Sequence, residues 1–143
     1  MEKDIVQYHY DELIKSLVTL SSPAEKQKYI MGYGHVGDDM IIEFENHYNL
    51  GMADYYFDIG LFTDNQLQKI DDYDKFLDEK SGEQELDFFT DFDQLNSNPI
   101  WEEIRVETSK LLRFFDKDNL DIEVTREVDN KIELTRTRLY KVR

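Results

Sequence analysis

From Tyr10 onward, apolar residues recur at Leu13, Ile14, Leu17 and Val18, the positions that place one stripe of a helix against a core. The spacing predicts a first helix over about residues 4–20. Ser22-Pro23-Ala24-Glu25 reads as a capping box with proline at the first helical position, and predicts a short second helix reaching about Met31. Gly32, Gly34 and Gly37 then stop it. Residues 38–48 fit two periods. As a strand, Met40, Ile42, Phe44 and Tyr48 turn inward and Glu43, Glu45 and His47 outward; as a helix capped by Asp39, Met40, Ile41, Phe44 and Tyr48 share a face. In the strand reading, Asn49-Leu50-Gly51 turns the chain into a hairpin whose return carries Ala53, Tyr55, Phe57 and Ile59. Thr63-Asp64-Asn65-Gln66 is a second capping box, Phe62 and Leu67 form its staple, and Leu67, Ile70, Tyr73 and Leu77 line a helix that ends at Gly82. A helical turn follows Thr90, with its hydroxyl as cap and Asp93 at the third position. Asn98-Pro99 opens a last helix with Trp101, Ile104, Leu111, Leu112 and Phe115 inward. After Asp118 the period becomes two, with Ile122, Val124 and Val128, a turn at Asp129-Asn130, then Ile132, Leu134 and a Thr-Arg alternation. The expected fold is mainly α, a small helical bundle with a C-terminal β-hairpin; the alternative is α+β with an additional hairpin near 38–60. The expected organisation is an acidic helical domain over 1–118 with a basic hairpin over 119–143 packed on it.

Charge changes this picture. The formal net charge is −15, yet residues 38–103 alone hold nineteen acids against Lys69, Lys75 and Lys80, a net of −16, together with twelve of the nineteen aromatics. The rest of the chain is close to neutral, and the last fourteen residues are basic, so the tail is expected to lie against the acidic body of its own chain or of a second copy. Leu, Ile, Val and Phe make up 41 of the 143 residues, well above the roughly 20% below which highly charged chains stay unfolded. The absence of cysteine excludes disulfides, thiol catalysis and Cys-ligated metal. No basic segment leads into an apolar run at the N-terminus, and no run approaches 18 apolar residues. A cytoplasmic location without membrane association is expected.

Chemistry is sparse. The glycines at 32, 34 and 37 do not have phosphate-loop spacing and are followed by Asp38-Asp39, where a phosphate needs positive charge. His9, His35 and His47 occupy separate segments, so a zinc site would have to be assembled by tertiary contacts with carboxylates. Asp116 to Asp121 lacks the glycine and glutamate of a calcium loop. Carboxylate pairs such as Glu43 with Glu45 or Asp71 with Asp74 read as solvated faces in the absence of a pocket. No serine has the Gly-x-Ser-x-Gly setting. An acidic body repels phosphates, which argues against nucleic acid. No catalytic residue, cofactor or metal is assigned.

Tyr10-x-x-Leu13 with Leu17 and Leu20, Pro23-Ala24-Glu25-Lys26-Gln27-x-Tyr29, Asp38-Asp39-Met40-x-Ile42-Glu43-Phe44, Leu67 with Ile70-Asp71 and Ser81-Gly82, and Trp101-Glu102-Glu103-Ile104-Arg105 together resemble a family of small uncharacterised acidic bacterial proteins over roughly residues 8–115. In that family the third block looks like Asp-Glu-Leu-Ala-Leu-Glu-Phe, whose Ala and Leu favour helix for 38–48. The family is similar in type to the acidic immunity proteins that bacteria pair with toxins. The resemblance implies a non-catalytic immunity or inhibitor protein that binds a basic, nuclease-like toxin domain through its acidic and aromatic middle. Asp54, Tyr55, Tyr56, Asp58, Asp71, Asp72 and Asp74 are the expected contacts. The alternative function is a self-associating structural or adaptor protein, a homodimer formed through the C-terminal hairpin.

Overall fold

The computed structural model describes residues 1–142 and contains eight helices followed by two antiparallel strands. They are α1 (Lys3–Ser21), α2 (Ala24–Met31), α3 (Val36–His47), α4 (Leu50–Asp58), α5 (Asp64–Gly82), α6 (Leu86–Thr90), α7 (Phe92–Ser97), α8 (Pro99–Phe114), β1 (Leu120–Asp129) and β2 (Ile132–Lys141). The protein is a helical bundle with a C-terminal hairpin. Among the described residues, no helix is long and apolar enough to cross a membrane.

The bundle is built around α1. Its apolar stripe of Leu13, Ile14, Leu17 and Val18 is buried, and Ser16, Thr19 and Leu20 are buried beside it, so the second half of the helix is covered on all sides. It packs chiefly on α8 and α3, and also touches α4, α2 and β1. Ser16 and Thr19 are tolerated there because each hydroxyl donates to a carbonyl of its own helix.

Residues 38–60 are two helices, so the alternative hairpin does not form. Met40, Ile41 and Phe44 of α3 and the following Tyr48 are buried while Ile42 is exposed, the helical assignment of the same residues. Asn49, taken above as part of a turn, is the cap of α4, and its side chain accepts from the Met52 amide at 3.0 Å. The return positions then follow the helical period, with Met52 and Tyr56 inward and Tyr55 and Phe57 outward. Asp39 lies in the first turn of α3 rather than at its cap.

Two expected caps are also replaced. Ser22 immediately follows α1, and its hydroxyl donates back to the Val18 carbonyl instead of serving α2. Thr90 closes α6 by donating to Leu86, and Asp91 caps α7 in its place, accepting from the Asp93 amide. The box at Thr63 forms and Asn98 caps α8 ahead of Pro99, as the sequence indicates.

The glycines divide by role. Gly32 and Gly34 have positive φ and stop α2. Gly37 lies inside α3, where an added Cβ would meet Trp101 Cζ2 at 2.7 Å and the Phe89 carbonyl oxygen at 3.1 Å. Trp101 is fully buried, stacked on Phe88 at 4.5 Å between ring centroids, with its indole N–H donating to the Phe88 carbonyl at 2.9 Å. Gly37 therefore admits the indole that joins α3, α6 and α8.

A buried polar junction fixes α2 and α8 against the end of α1. The Gln27 amide nitrogen donates to the Thr19 and Leu20 carbonyls at the C-terminus of α1, where Thr19 also accepts from the Ser22 amide, while the Gln27 oxygen accepts from the Arg105 guanidinium. Arg105 also donates to Leu95 of α7.

The hairpin leaves this body at Phe115 and packs on α1 and α2. Ile122 is buried, Lys26 pairs with Asp121 at 3.3 Å, and Lys15 donates to the Thr137 carbonyl and hydroxyl. Arg126 lies over the Tyr29 ring and donates to its carbonyl. The turn falls one position later than the sequence pattern indicated, at Asn130-Lys131, and both residues have positive φ, 51° and 66°. These are the dihedrals of a type I′ turn, whose preferred second residue is glycine.

Gly37→Ala is expected to cost about 1–3 kcal/mol in chemical unfolding, because the indole cannot move without opening the stack on Phe88. Lys131→Gly is expected to relieve a left-handed lysine worth about 1 kcal/mol, read as roughly fivefold slower amide exchange in the paired strands at Val128–Glu133.

Candidate functional site

The acidic middle condenses onto one face where α3 packs beside α5. Ile70, Tyr73 and Leu77 bury one side of α5. That fixes Asp71, Asp74 and Asp78, at i, i+3 and i+7, on an adjoining stripe. Tyr48, just beyond α3, donates its hydroxyl to Asp71 at 3.4 Å, and Lys75 reaches the same carboxylate at 3.0 Å. The Asp74 carboxyl is half-buried and has no such partner. Its pKa is pushed up to about 6, first by burial, then by the charges of Asp78, Asp71 and Glu45, with Lys75 only partly opposing them. Glu45 is raised as well, by burial and then by Asp78 and Asp38. Burial and then the charges of Asp71 and Asp74 hold the Tyr48 phenol well above its ordinary range. On this face burial and then neighbouring carboxylates hold Asp74 and Glu45 above the ordinary carboxylate range.

The expected contact residues divide between this face and others. Asp71 and Asp74 belong to it. Asp72 points elsewhere on α5, accepts from Gln68, and lines a groove between α5 and α8 with Lys69 and Lys110. Asp54, Tyr55 and Asp58 are exposed on α4. Tyr56 is not available to a partner: it is fully buried, sits edge-on to Tyr10 and Phe62, and donates its hydroxyl to the His47 carbonyl. Leu50 and Phe57, which the sequence reading passed over, are 84% and 46% exposed on α4. Their i, i+7 spacing about Asp54 is the signal that marks them once α4 is recognised as a helix.

The basic tail does not cover the acidic face. Its anchoring pair runs in the opposite sense, from Lys26 of the near-neutral N-terminal part to Asp121 of the hairpin. Arg126 and Arg138 pair with Glu133 and Glu123 inside the hairpin itself. Among the described residues, no hairpin base forms an ion pair with an acid of 38–103.

A second cluster, on the α1–α3 seam, was not legible in the separate histidine segments. His9 and His47 meet with their Nδ1 atoms 3.0 Å apart, one donating and the other accepting. On the far side of its ring, His47 Nε2 lies 3.3 Å from Glu43 Oε1. Glu12 completes the group, and one ligand atom from each of Glu12, Glu43 and His47 lies within 4.8 Å of the others. Glu12 also pairs with Lys15 at 2.9 Å.

Comparison with protein families, curated proteins and solved structures returns no match.

The Asp74 shift fixes the sign of a pH effect. Its folded pKa of about 6 exceeds the unfolded value of 3.8, so the folded chain holds that proton more tightly. The contribution to stability is full below pH ~4 and is lost as the pH rises to ~6. Asp74→Asn is therefore expected to raise stability at pH 7 by about 1 kcal/mol after allowance for solvent screening, and to flatten the profile between pH ~4 and ~6. Urea unfolding of both proteins across that range measures it.

Proposed function

We propose that this chain is a non-catalytic bacterial immunity or inhibitor protein that acts in the cytoplasm by occluding a basic, nuclease-like toxin domain. The observation that carries the reading is the acidic face: burial and then the charges of Asp78, Asp71 and Glu45 raise the Asp74 carboxyl, burial and then Asp78 and Asp38 raise Glu45, and the chain's own basic hairpin is docked elsewhere. A basic partner relieves that repulsion on binding. Helix α4 supplies what charge alone lacks, with Leu50, Tyr55 and Phe57 exposed on the same helix as Asp54 and Asp58 as apolar anchors. Long-range steering fades over about 8 Å in physiological salt, so the carboxylates set the association rate and α4 the residence time. The likeness to small acidic bacterial proteins of immunity type supports the same reading.

Self-association through the hairpin is the second reading, and it rests on the outer part of the strands. Val128 is 75% and Ile132 62% exposed beside Lys131.

Co-production with basic toxin domains encoded beside its gene is expected to rescue growth. With the matched toxin, Asp71→Asn/Asp74→Asn should slow association at least tenfold at low salt, and Leu50→Ala/Phe57→Ala should speed dissociation. Failure to protect against every adjacent basic domain would sink the immunity reading. A concentration-dependent dimer in sedimentation that Val128→Ser/Ile132→Ser abolishes would favour the second.

A further inference from the structure

We propose that Glu12, Glu43 and His47 bind a zinc ion, with His9 as the outer partner that orients the His47 ring. Each helix of the seam contributes a matched pair, His9 with Glu12 at i, i+3 on α1 and Glu43 with His47 at i, i+4 on α3, so each carboxylate is on the same helix face as its histidine. Packing α1 on α3 joins the two pairs into one cluster.

The distances match the chemistry. Zinc holds histidine nitrogen at about 2.0–2.1 Å and carboxylate oxygen at about 2.0–2.2 Å in a tetrahedron, which separates neighbouring ligand atoms by about 3.3–3.4 Å. His47 Nε2 and Glu43 Oε1 are already 3.3 Å apart, one edge of that tetrahedron. The third ligand atom, from Glu12, is within 4.8 Å of both and closes the set by a side-chain adjustment of about 1.5 Å. An imidazole nitrogen among the ligands favours a first-row divalent metal over calcium or magnesium, which prefer oxygen alone.

His9 occupies the place that a metal-bound histidine requires. A ligating imidazole presents a lone pair to the metal and donates its other N–H to an outer acceptor, which fixes tautomer and orientation. With His47 Nε2 on the ion, its Nδ1–H donates to His9 Nδ1 across the observed 3.0 Å contact. His47 is only 7% exposed, so its ring is set by packing as well as by this bond. In the metal-bound state the neutral His47 ring carries its single proton on Nδ1, leaving Nε2 unprotonated for the ion, while His9 accepts at Nδ1 with its own proton on Nε2. Lys15 takes Oε1 of Glu12, and because a carboxylate accepts at both oxygens the ammonium and an ion can share it. Beside Glu12 and Glu43 lies a cleft of about 140 Å³, also lined by Lys15, Thr19 and Thr137. The site lies on the α1–α3 seam, distinct from the carboxylates of α5, and does not depend on the immunity reading.

Calorimetric titration of the full chain with zinc chloride, after removal of metal by chelator, tests the assignment. The expected result is saturable binding of one ion per chain, with cobalt(II) giving the intense visible absorption of a tetrahedral site. Glu43→Gln and His47→Gln are each expected to weaken zinc at least 100-fold, and His9→Gln by about 10–100-fold, the loss typical of an outer partner. Asp74→Asn, on the acidic face, is expected to leave binding unchanged. Glu43 is partly exposed, so its variant remains informative if circular dichroism finds His47→Gln unfolded. Absence of saturable binding overturns the proposal, as does wild-type affinity in folded Glu43→Gln. Equal weakening by Asp74→Asn would instead mean diffuse attraction to an acidic surface, and overturns it too.

Discussion

Burial of one side of α5, which crowds its carboxylates beside the end of α3, is the constraint on which the acidic face depends. Asp71, Asp74 and Asp78 cannot turn away from one another, because Ile70, Tyr73 and Leu77 on the same helix are buried at 0%, 5% and 1% exposure. Rotating α5 to separate the charges would bring those side chains into water, at about 1.5–3 kcal/mol for each large one fully exposed. The folded chain therefore keeps the charges together and responds by holding a proton on Asp74 to a higher pH. Tyr73 ties the arrangement to the rest of the bundle through its hydroxyl contact with Thr108 of α8 at 2.6 Å.

The other end of the bundle is organised by satisfied polar groups instead of opposed ones. Gln27 meets the Thr19 and Leu20 carbonyls at the end of α1, and Arg105, bonded to Gln27 and to the Leu95 carbonyl, joins α2, α7 and α8 there. Removing either partner would strand buried donors or acceptors, at about 1–3 kcal/mol for each neutral group and more for the guanidinium. The hairpin docks along α1 and α2, where Lys15 and Lys26 supply positive charge to Thr137 and Asp121. Among the described residues, the bases of the hairpin thus pair within it and not with the acids of 38–103.

Much of the helical layout was legible because burial repeats at 3.6 residues, as in α1, α5 and α8. What escaped the sequence had specific causes. Asn49 suits both a turn and a helix cap, and only the burial of Met52 and Tyr56 resolves the choice. Ser22 and Thr90 had the composition of caps, but each hydroxyl was nearer the carbonyl of the preceding helix. The charge stripe on α5 could be counted from the sequence, whereas the closeness of Glu45 depends on how α3 packs. Tyr56 looked like its exposed neighbour Tyr55 until the helical period turned one inward. The His9–His47 contact joins residues 38 positions apart, and no local spacing encodes it.

The account depends most on carboxylates being crowded by the fold, and a site-resolved NMR titration of the Asp74 carboxyl measures that crowding. It predicts a midpoint near pH 6. A midpoint near the ordinary aspartate value of about 3.9 would contradict it, and would mean that the acidic face is a solvated surface with no repulsion for a partner to relieve.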